Sequence, residues 1–130
     1  MKYTFPSGTY YEGDMVDEMF QGIGMLHYEC GDKYSGEFSV DMFEGNGVYT
    51  YTSGSSYTGP FVNDLFHGVG TFAYADGSVE KGKFHQDKRV GKFYQFDTAT
   101  RDYYELIYQN DKVQTCKVVS FESIPEEKRP

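Results

Sequence analysis

The fold is decided by the sequence YSGEFSVDMFEGNG at residues 34–47, which recurs at residues 57–70 as YTGPFVNDLFHGVG. The two stretches are related by a 23-residue period, and a weaker copy starts at Tyr11, one period earlier. All fifteen glycines of the chain follow this period. They form four columns: Gly8, Gly31, Gly54 and Gly77; Gly13, Gly36, Gly59 and Gly82; Gly22, Gly45, Gly68 and Gly91; and Gly24, Gly47 and Gly70. A fixed period of this length is typical of a tandem-repeat protein.

Each repeat unit is predicted to form two short strands joined by tight turns. Aromatic and β-branched residues between glycines favour strand over helix. The segments that contain Gly8, Gly54 and Gly77 fit type I turns followed by a glycine in the left-handed conformation. The opposite bend carries one acid in each unit: Glu18, Asp41, Asp64 and Asp87. We expect these carboxylates to bind nearby backbone amides. Consecutive hairpins then predict an all-β, single-layer, elongated antiparallel meander.

The alternation of side chains along a strand places the large rings and the glycines on one face. Tyr34, Gly36 and Phe38 share a face, and Gly45 and Gly47 are expected on that same face of the next strand. Rings from neighbouring strands should then lie over bare glycine backbone. One sheet with one polar face has no second layer to bury these rings, and exposed apolar surface usually marks a partner site. The candidate partner-binding residues are Tyr11, Tyr34, Phe38, Phe43, Tyr49, Tyr51, Tyr57, Phe61, Phe66, Phe72 and Tyr74.

Charge is distributed unevenly along the chain. The net charge is −8, which makes nucleic acid an unsuitable partner. Residues 1–79 hold eleven acids and two bases, whereas residues 80–92 hold five bases and two acids. The five bases are Lys81, Lys83, Lys88, Arg89 and Lys92. This cluster offers an alternative function, binding of anionic phospholipid, and the opposite charges of the two regions offer a third, formation of a homodimer or oligomer.

The sequence contains no pattern of residues typical of catalysis or metal binding. His27, His67 and His85 lack the spacing of metal ligands, and no Gly-Lys-Ser/Thr follows the Gly-x-Gly pairs. We therefore predict a protein that is not an enzyme and needs no cofactor or metal. The two cysteines, Cys30 and Cys116, are far apart and lack CxxC spacing, which predicts reduced thiols and a cytoplasmic location.

The stretches at residues 34–47 and 57–70 resemble the MORN repeat, a 23-residue motif with Tyr-x-Gly-x-aromatic followed by Gly-x-Gly. The resemblance covers residues 1–96, as a half repeat at 1–10 and repeats near 11–33, 34–56, 57–79 and 80–96. It implies a curved antiparallel sheet that serves as a scaffold or adaptor, often self-associating, in cytoskeletal, flagellar or membrane-junction assemblies. The leading hypothesis is therefore a protein-interaction scaffold that binds an amphipathic helix or a peptide on its aromatic-glycine face.

The pattern weakens towards the C-terminus. Glu80 replaces the repeat tyrosine, and Phe93 stands where the last glycine is expected. Residues 97–121 are predicted to be degenerate capping strands, since a terminal unit lacks one neighbour. Residues 122–130 are charged and bounded by proline, which predicts a flexible tail.

Overall fold

The computed structural model describes all 130 residues, and its strands form one open antiparallel sheet. The strands are β1 (Lys2–Thr4), β2 (Tyr10–Val16), β3 (Met19–His27), β4 (Lys33–Ser39), β5 (Met42–Thr50), β6 (Ser56–Val62), β7 (Leu65–Phe66), β8 (Gly68–Ala73), β9 (Val79–His85), β10 (Lys88–Phe96), β11 (Tyr103–Gln109) and β12 (Lys112–Val119). They lie side by side in chain order, except that the two-residue β7 pairs with β6 outside the main path. The predicted all-β, single-layer, curved antiparallel meander is confirmed. The chain contains no helix long and apolar enough to cross a membrane.

Two kinds of turn alternate along the sheet. Within a unit, the central residues of the turn both have positive φ, as at Val40 (48°) and Asp41 (65°), which is the geometry of a type I′ hairpin. Between units, a glycine such as Gly54 has a φ of 96° and its amide donates to the carbonyl of Tyr51. The left-handed glycine predicted for the second kind of turn is therefore confirmed.

A bulge in the second strand of each unit changes the expected position of one glycine column. Phe38 pairs with Phe43 and Gly36 pairs with Gly47, so three residues of β5 face only Glu37 of β4. Because β5 has two residues more than β4 in this interval, an even number, Phe43 and Gly47 remain on the same face of the sheet. Gly45, however, has a φ of 81°, and a Cβ added there would lie 2.6 Å from the Glu37 carboxylate, on the opposite face. The expectation that Gly45 shares the aromatic face was wrong, because alternation holds only in a regular strand.

The face that carries Tyr34, Phe38 and Phe43, here called the ring face, contains the hydrophobic core. A Cβ added at Gly47 would lie 2.5 Å from Cε2 of Tyr34, so this ring lies directly over the bare backbone. Phe43 stacks on the other side of Tyr34, with ring centroids 3.9 Å apart and planes inclined by 9°. The Tyr34 hydroxyl donates to the Glu37 carbonyl at 2.7 Å. The expected packing of rings over glycine is therefore confirmed, and it leaves the tyrosine fully buried without a second layer.

The acids in the hairpin turns link consecutive repeats. Oδ1 of Asp64 accepts a hydrogen bond from the backbone amide of Phe43 at 2.7 Å, and Asp87 binds the amide of Phe66 in the same way. The sequence predicted a carboxylate bound to nearby amides, but each bound amide lies 21 residues earlier, in the preceding hairpin. The difference arises because neighbouring hairpins of the sheet, rather than neighbouring residues of the chain, meet at this edge.

The C-terminal residues have a defined conformation where a flexible tail was predicted. Two 3₁₀ turns, Phe121–Ser123 and Glu126–Lys128, flank Ile124, which is only 1% exposed. The ring of Phe121 lies 5.3 Å from that of Tyr103 on the face opposite the ring face, here called the back face. Arg129 places its guanidinium 4.3 Å from the Phe121 ring and donates to the Ile124 carbonyl. Two apolar anchors therefore hold a segment whose composition indicated a solvated tail.

Candidate functional site

An open groove of about 410 Å³ lies on the ring face between β5 and β10. Ten residues line it: Phe43, Tyr49, Tyr51, Phe61, Asp64, Phe66, Phe72, Phe84, Asp87 and Arg89. Phe43, Phe61 and Phe84 are buried and form part of its floor. The floor is therefore apolar, while charged side chains stand at the margin. Such a combination of apolar surface with a few polar groups is typical of a binding site.

One wall of the groove is a continuous row of half-buried rings, here called the aromatic row. Its members are Tyr28, Tyr49, Tyr51, Phe72 and Tyr74. Successive ring centroids along this row are 6.1, 4.8, 6.1 and 4.9 Å apart. The Tyr49 hydroxyl donates to Asp32 at 2.9 Å, which fixes the orientation of that ring. The row crosses several strands and therefore presents one unbroken apolar margin along the sheet.

The other wall carries the acids of the hairpin turns, here called the acidic row: Glu18, Asp41, Asp64 and Asp87. All four are exposed, and they recur with the 23-residue period. Asp64 and Asp87 line the groove directly. Each of these aspartates uses Oδ1 to bind the preceding hairpin and makes no hydrogen bond or ion pair through Oδ2. The groove therefore presents fixed carboxylates with acceptor atoms available to a ligand.

The phenols around the groove are neutral. Burial raises the pKa of Tyr74 to about 12, and its hydrogen bond to Glu80 acts in the same direction. Burial also raises the pKa of Tyr28 and of Tyr51, with further contributions from Asp64 and Asp87 respectively. These rings therefore keep their hydroxyl protons at neutral pH and act as hydrogen-bond donors, so the negative charge of the groove comes from its carboxylates.

The fourth repeat closes the groove with an ion pair. Glu80, which is fully buried, occupies the column of Tyr34 and Tyr57, while Arg89 occupies the column of Phe43 and Phe66. Arg89 Nε donates to Glu80 at 2.6 Å.

The surrounding hydroxyls complete this cluster. Tyr74 and Tyr108 donate to the two oxygens of Glu80 at 2.7 and 3.0 Å. Burial alone acts to lower the pKa of Arg89, but the attraction of Glu80 and the two tyrosines leaves it raised. The guanidinium therefore stays charged at the end of the groove.

The predicted partner-binding rings divide into two groups. Six are buried in the structure: Tyr11, Tyr34, Tyr57, Phe38, Phe43 and Phe61. These six hold the sheet together and, at most, form the groove floor. The other five are half-buried beside or along the groove: Tyr49, Tyr51, Phe66, Phe72 and Tyr74. Tyr28, Asp64 and Asp87 were not among the predicted site residues, although each repeats with the 23-residue period that revealed the others.

The predicted basic residues do not form one patch. Lys81, Lys83 and Lys92 lie on the back face, whereas Lys88 begins β10 at the hairpin turn. Arg89 points the other way, into the groove, where Glu80 holds it. The assignment of Arg89 to an anion-binding patch is therefore corrected. Arg89 stands 23 residues after Phe66, and this position in the repeat places its side chain on the ring face.

A second cavity, of about 680 Å³, lies on the ring face of the first repeat. Its lining residues are Tyr3, Phe5, Met15, Glu18, Phe20, Leu26 and Asp41. Met15 and Leu26 replace larger rings of the later units, which explains the extra space. Neither here nor elsewhere does a group of three or more His, Cys, Asp and Glu side chains have the geometry to hold a metal ion.

Comparison with known families adds to this geometry. Residues 34–56 and 57–79 match the family model of the MORN repeat. No curated protein matches the chain. The two matched segments supply most of the groove, including Phe43, Tyr49 and Phe72. MORN repeats are generally modules that bind proteins or membranes, and the family is not enzymatic. The chain therefore contains two consecutive MORN repeats, at residues 34–56 and 57–79.

Proposed function

We propose that this protein is a non-enzymatic scaffold that binds a segment of a partner protein in the groove of the ring face. The observation that carries the proposal is the arrangement of an open apolar floor between the aromatic row and the acidic row. When a partner covers the apolar surface that is open on one face of a sheet, the complex is stabilised by about 25 cal/mol for each Å² removed from water.

The charges of the groove define the kind of segment that fits. Asp64 and Asp87 present unpaired carboxylate oxygens, and residues 1–79 carry eleven acids against two bases. A complementary segment therefore has apolar side chains on one side and Lys or Arg on another. Such a segment is an amphipathic helix or a peptide, as the sequence predicted.

Selection from a displayed library of random peptides tests the proposal, since it requires only that the groove bind some peptide. Peptides selected on the wild-type protein are measured again on the variant Tyr51→Ala/Phe72→Ala, which removes two rings of the aromatic row. The matched control is Tyr10→Ala, since Tyr10 is a half-buried ring of the back face that stacks on His27. Circular dichroism establishes that each variant keeps its sheet.

We expect the groove variant to weaken binding of the selected peptides at least tenfold and the control to change it less than twofold. Peptides that bind the groove variant as well as the wild type would contradict the proposal.

Anionic phospholipid is a second candidate partner. Lys81 and Lys83 share the back face and make no ion pair, and Lys92 lies on the same face at 3.8 Å from Glu105. Co-sedimentation with vesicles of phosphatidylcholine, with and without phosphatidylserine, tests this function. Binding that requires phosphatidylserine, weakens with salt and disappears in Lys81→Glu/Lys83→Glu would support it. Binding that is indifferent to these charges would exclude it.

Self-association, a cytoplasmic location and a place in a cytoskeletal or flagellar assembly stay predictions. Light scattering tests the first of them directly. A stable dimer has twice the monomer mass of 14.9 kDa, whereas a mass that stays at 14.9 kDa from micromolar to millimolar concentration excludes it.

A further inference from the structure

We infer that the segment bound in the groove is a polyproline II chain that carries Lys or Arg at every third residue. The inference rests on the proposed function and specifies the conformation and chemistry of the partner. It follows from the spacing of the groove features and from the chemistry of its two walls.

The spacing of the groove favours a period of three residues in an extended ligand. The aromatic row and the acidic row both repeat once every two strands, which corresponds to about 9.6 Å along the sheet. Three residues of polyproline II advance about 9.3 Å, whereas seven residues of an α-helix advance about 10.5 Å. A β-strand returns to the same side every two residues, after only about 6.7 Å. Polyproline II therefore matches the repeat with the smallest error.

The mismatch between the spacing of the ligand residues and the spacing of the repeats accumulates along the acidic row. Between Asp41 and Asp87 there are two full repeats. A polyproline II chain falls out of register by about 0.6 Å over this distance and a helix by about 1.8 Å. The aromatic row has the same period, because Tyr51 and Tyr74 are one 23-residue repeat apart.

The two walls supply complementary chemistry on opposite sides of such a chain. Polyproline II has three residues per turn, so every third side chain lies on the same side. Basic side chains on that side would meet Oδ2 of Asp64 and Asp87. The proline rings between them would pack on Tyr51 and Phe72, in the manner of aromatic-lined grooves that recognise proline-rich segments.

Fluorescence anisotropy with three labelled peptides tests the inference on the full chain. The first peptide is (Pro-Pro-Lys) repeated five times, and the second has the same ten prolines and five lysines in irregular order. The third is an amphipathic helix of equal charge with lysine at heptad spacing. We expect the regular proline peptide to bind at least tenfold more tightly than either of the others.

A charge variant of the protein supplies the second arm. Asp41→Asn/Asp64→Asn/Asp87→Asn removes the charges but keeps an oxygen to accept the hydrogen bonds of Phe20, Phe43 and Phe66. The control Glu12→Gln/Glu122→Gln/Glu127→Gln removes equal charge from three exposed acids that make no ion pair. We expect at least a tenfold loss of affinity in the first variant and less than a threefold loss in the second.

Three results would overturn the inference. Equal binding of the regular and irregular proline peptides would reduce the interaction to unspecific attraction between charges. Tighter, groove-dependent binding of the helical peptide would refute the polyproline II conformation and leave the proposed function intact. Binding of none of the three would refute it as well, while the library selection separately decides whether the groove binds peptides of another kind.

Discussion

Arg89 donates to the buried carboxylate of Glu80 at the two positions where each earlier repeat stacks a phenylalanine on a tyrosine. The reason for the exchange lies at residue 93. In repeats one to three the tyrosine lies over a glycine, but in the fourth that column holds Phe93, whose ring lies over Gly82 instead. A tyrosine at position 80 would have no bare backbone to cover. The ion pair thus marks the point where the repeat gives way to the terminal strands.

This ion pair leads to the first prediction. Arg89→Met leaves the carboxylate of Glu80 buried without its counter-charge, which we expect to lower the free energy of unfolding by about 3–5 kcal/mol. The double variant Glu80→Gln/Arg89→Met removes both charges, and its free energy of unfolding should fall by less than that of the single variant. Urea denaturation at neutral pH measures all three proteins. A single variant as stable as the wild type would show that Glu80 does not depend on Arg89.

The close approach of Tyr34 to Gly47 gives the second prediction. In Gly47→Ala the new Cβ would collide with the Tyr34 ring, which is itself held between Gly47 and Phe43. We expect a loss of about 3 kcal/mol or more, because the ring cannot move without disturbing the stack. Gly91→Ala is the control, since a Cβ there meets nothing within 4 Å and only the φ of 74° is unfavourable. It should cost about 1 kcal/mol. Equal losses in chemical denaturation would contradict the packing role of Gly47.

The main architecture could be predicted because one period governs the glycines, the rings and the turns. The bulge at Gly45 could not be predicted from the sequence. The two extra residues of β5 leave Phe43 and Gly47 on the same face, so the alternation on either side of the bulge looks like that of a regular strand. Ile124 was missed for a different reason. Acids stand two residues away on both sides of it, at Glu122 and Glu126, and the contact of the segment with Tyr103 through Phe121 joins residues that are distant in the sequence.

The candidate site was predicted only in part. The position of a residue within the 23-residue repeat indicates the face on which its side chain lies better than its charge does. Arg89 was grouped with the nearby lysines, yet it stands one repeat period after Phe66 in a column that faces the ring side. Glu80 stands one period after Tyr57 in the same way. The partner of Asp64 lies in the preceding hairpin, which only the stacking of hairpins brings close.

The acid that links two repeats gives the third prediction. Asp64→Ala removes the acceptor of the Phe43 amide, whereas Asp64→Asn keeps a neutral one. A hydrogen bond to a charged acceptor contributes about 1.5–3 kcal/mol, so we expect the alanine variant to lose stability within that range and the asparagine variant to lose about half as much. Hydrogen exchange of the Phe43 amide provides a local measurement. Unchanged protection of this amide in the alanine variant would exclude the link.

The fourth prediction concerns alkaline pH. Burial raises the pKa of Tyr57 to about 12 in the folded protein, and an unfolded tyrosine ionises near pH 10. Below pH 10 both states keep the proton, so the stability is complete. Between about pH 10 and 12 only the unfolded chain releases it, and the stability must fall. Thermal melting between pH 8 and 12 should therefore show a constant midpoint up to about pH 10 and a decline above it.

The variant Tyr57→Phe separates this effect from general alkaline damage. Phenylalanine keeps the ring over Gly70 and its stack on Phe66, but it loses the hydrogen bond to the Pro60 carbonyl. We expect it to be about 1 kcal/mol less stable at pH 8. Because one titrating group is gone, its stability should also decline less steeply between pH 10 and 12 than that of the wild type. Parallel pH profiles for the two proteins would mean that the ionisation of Tyr57 is not coupled to unfolding.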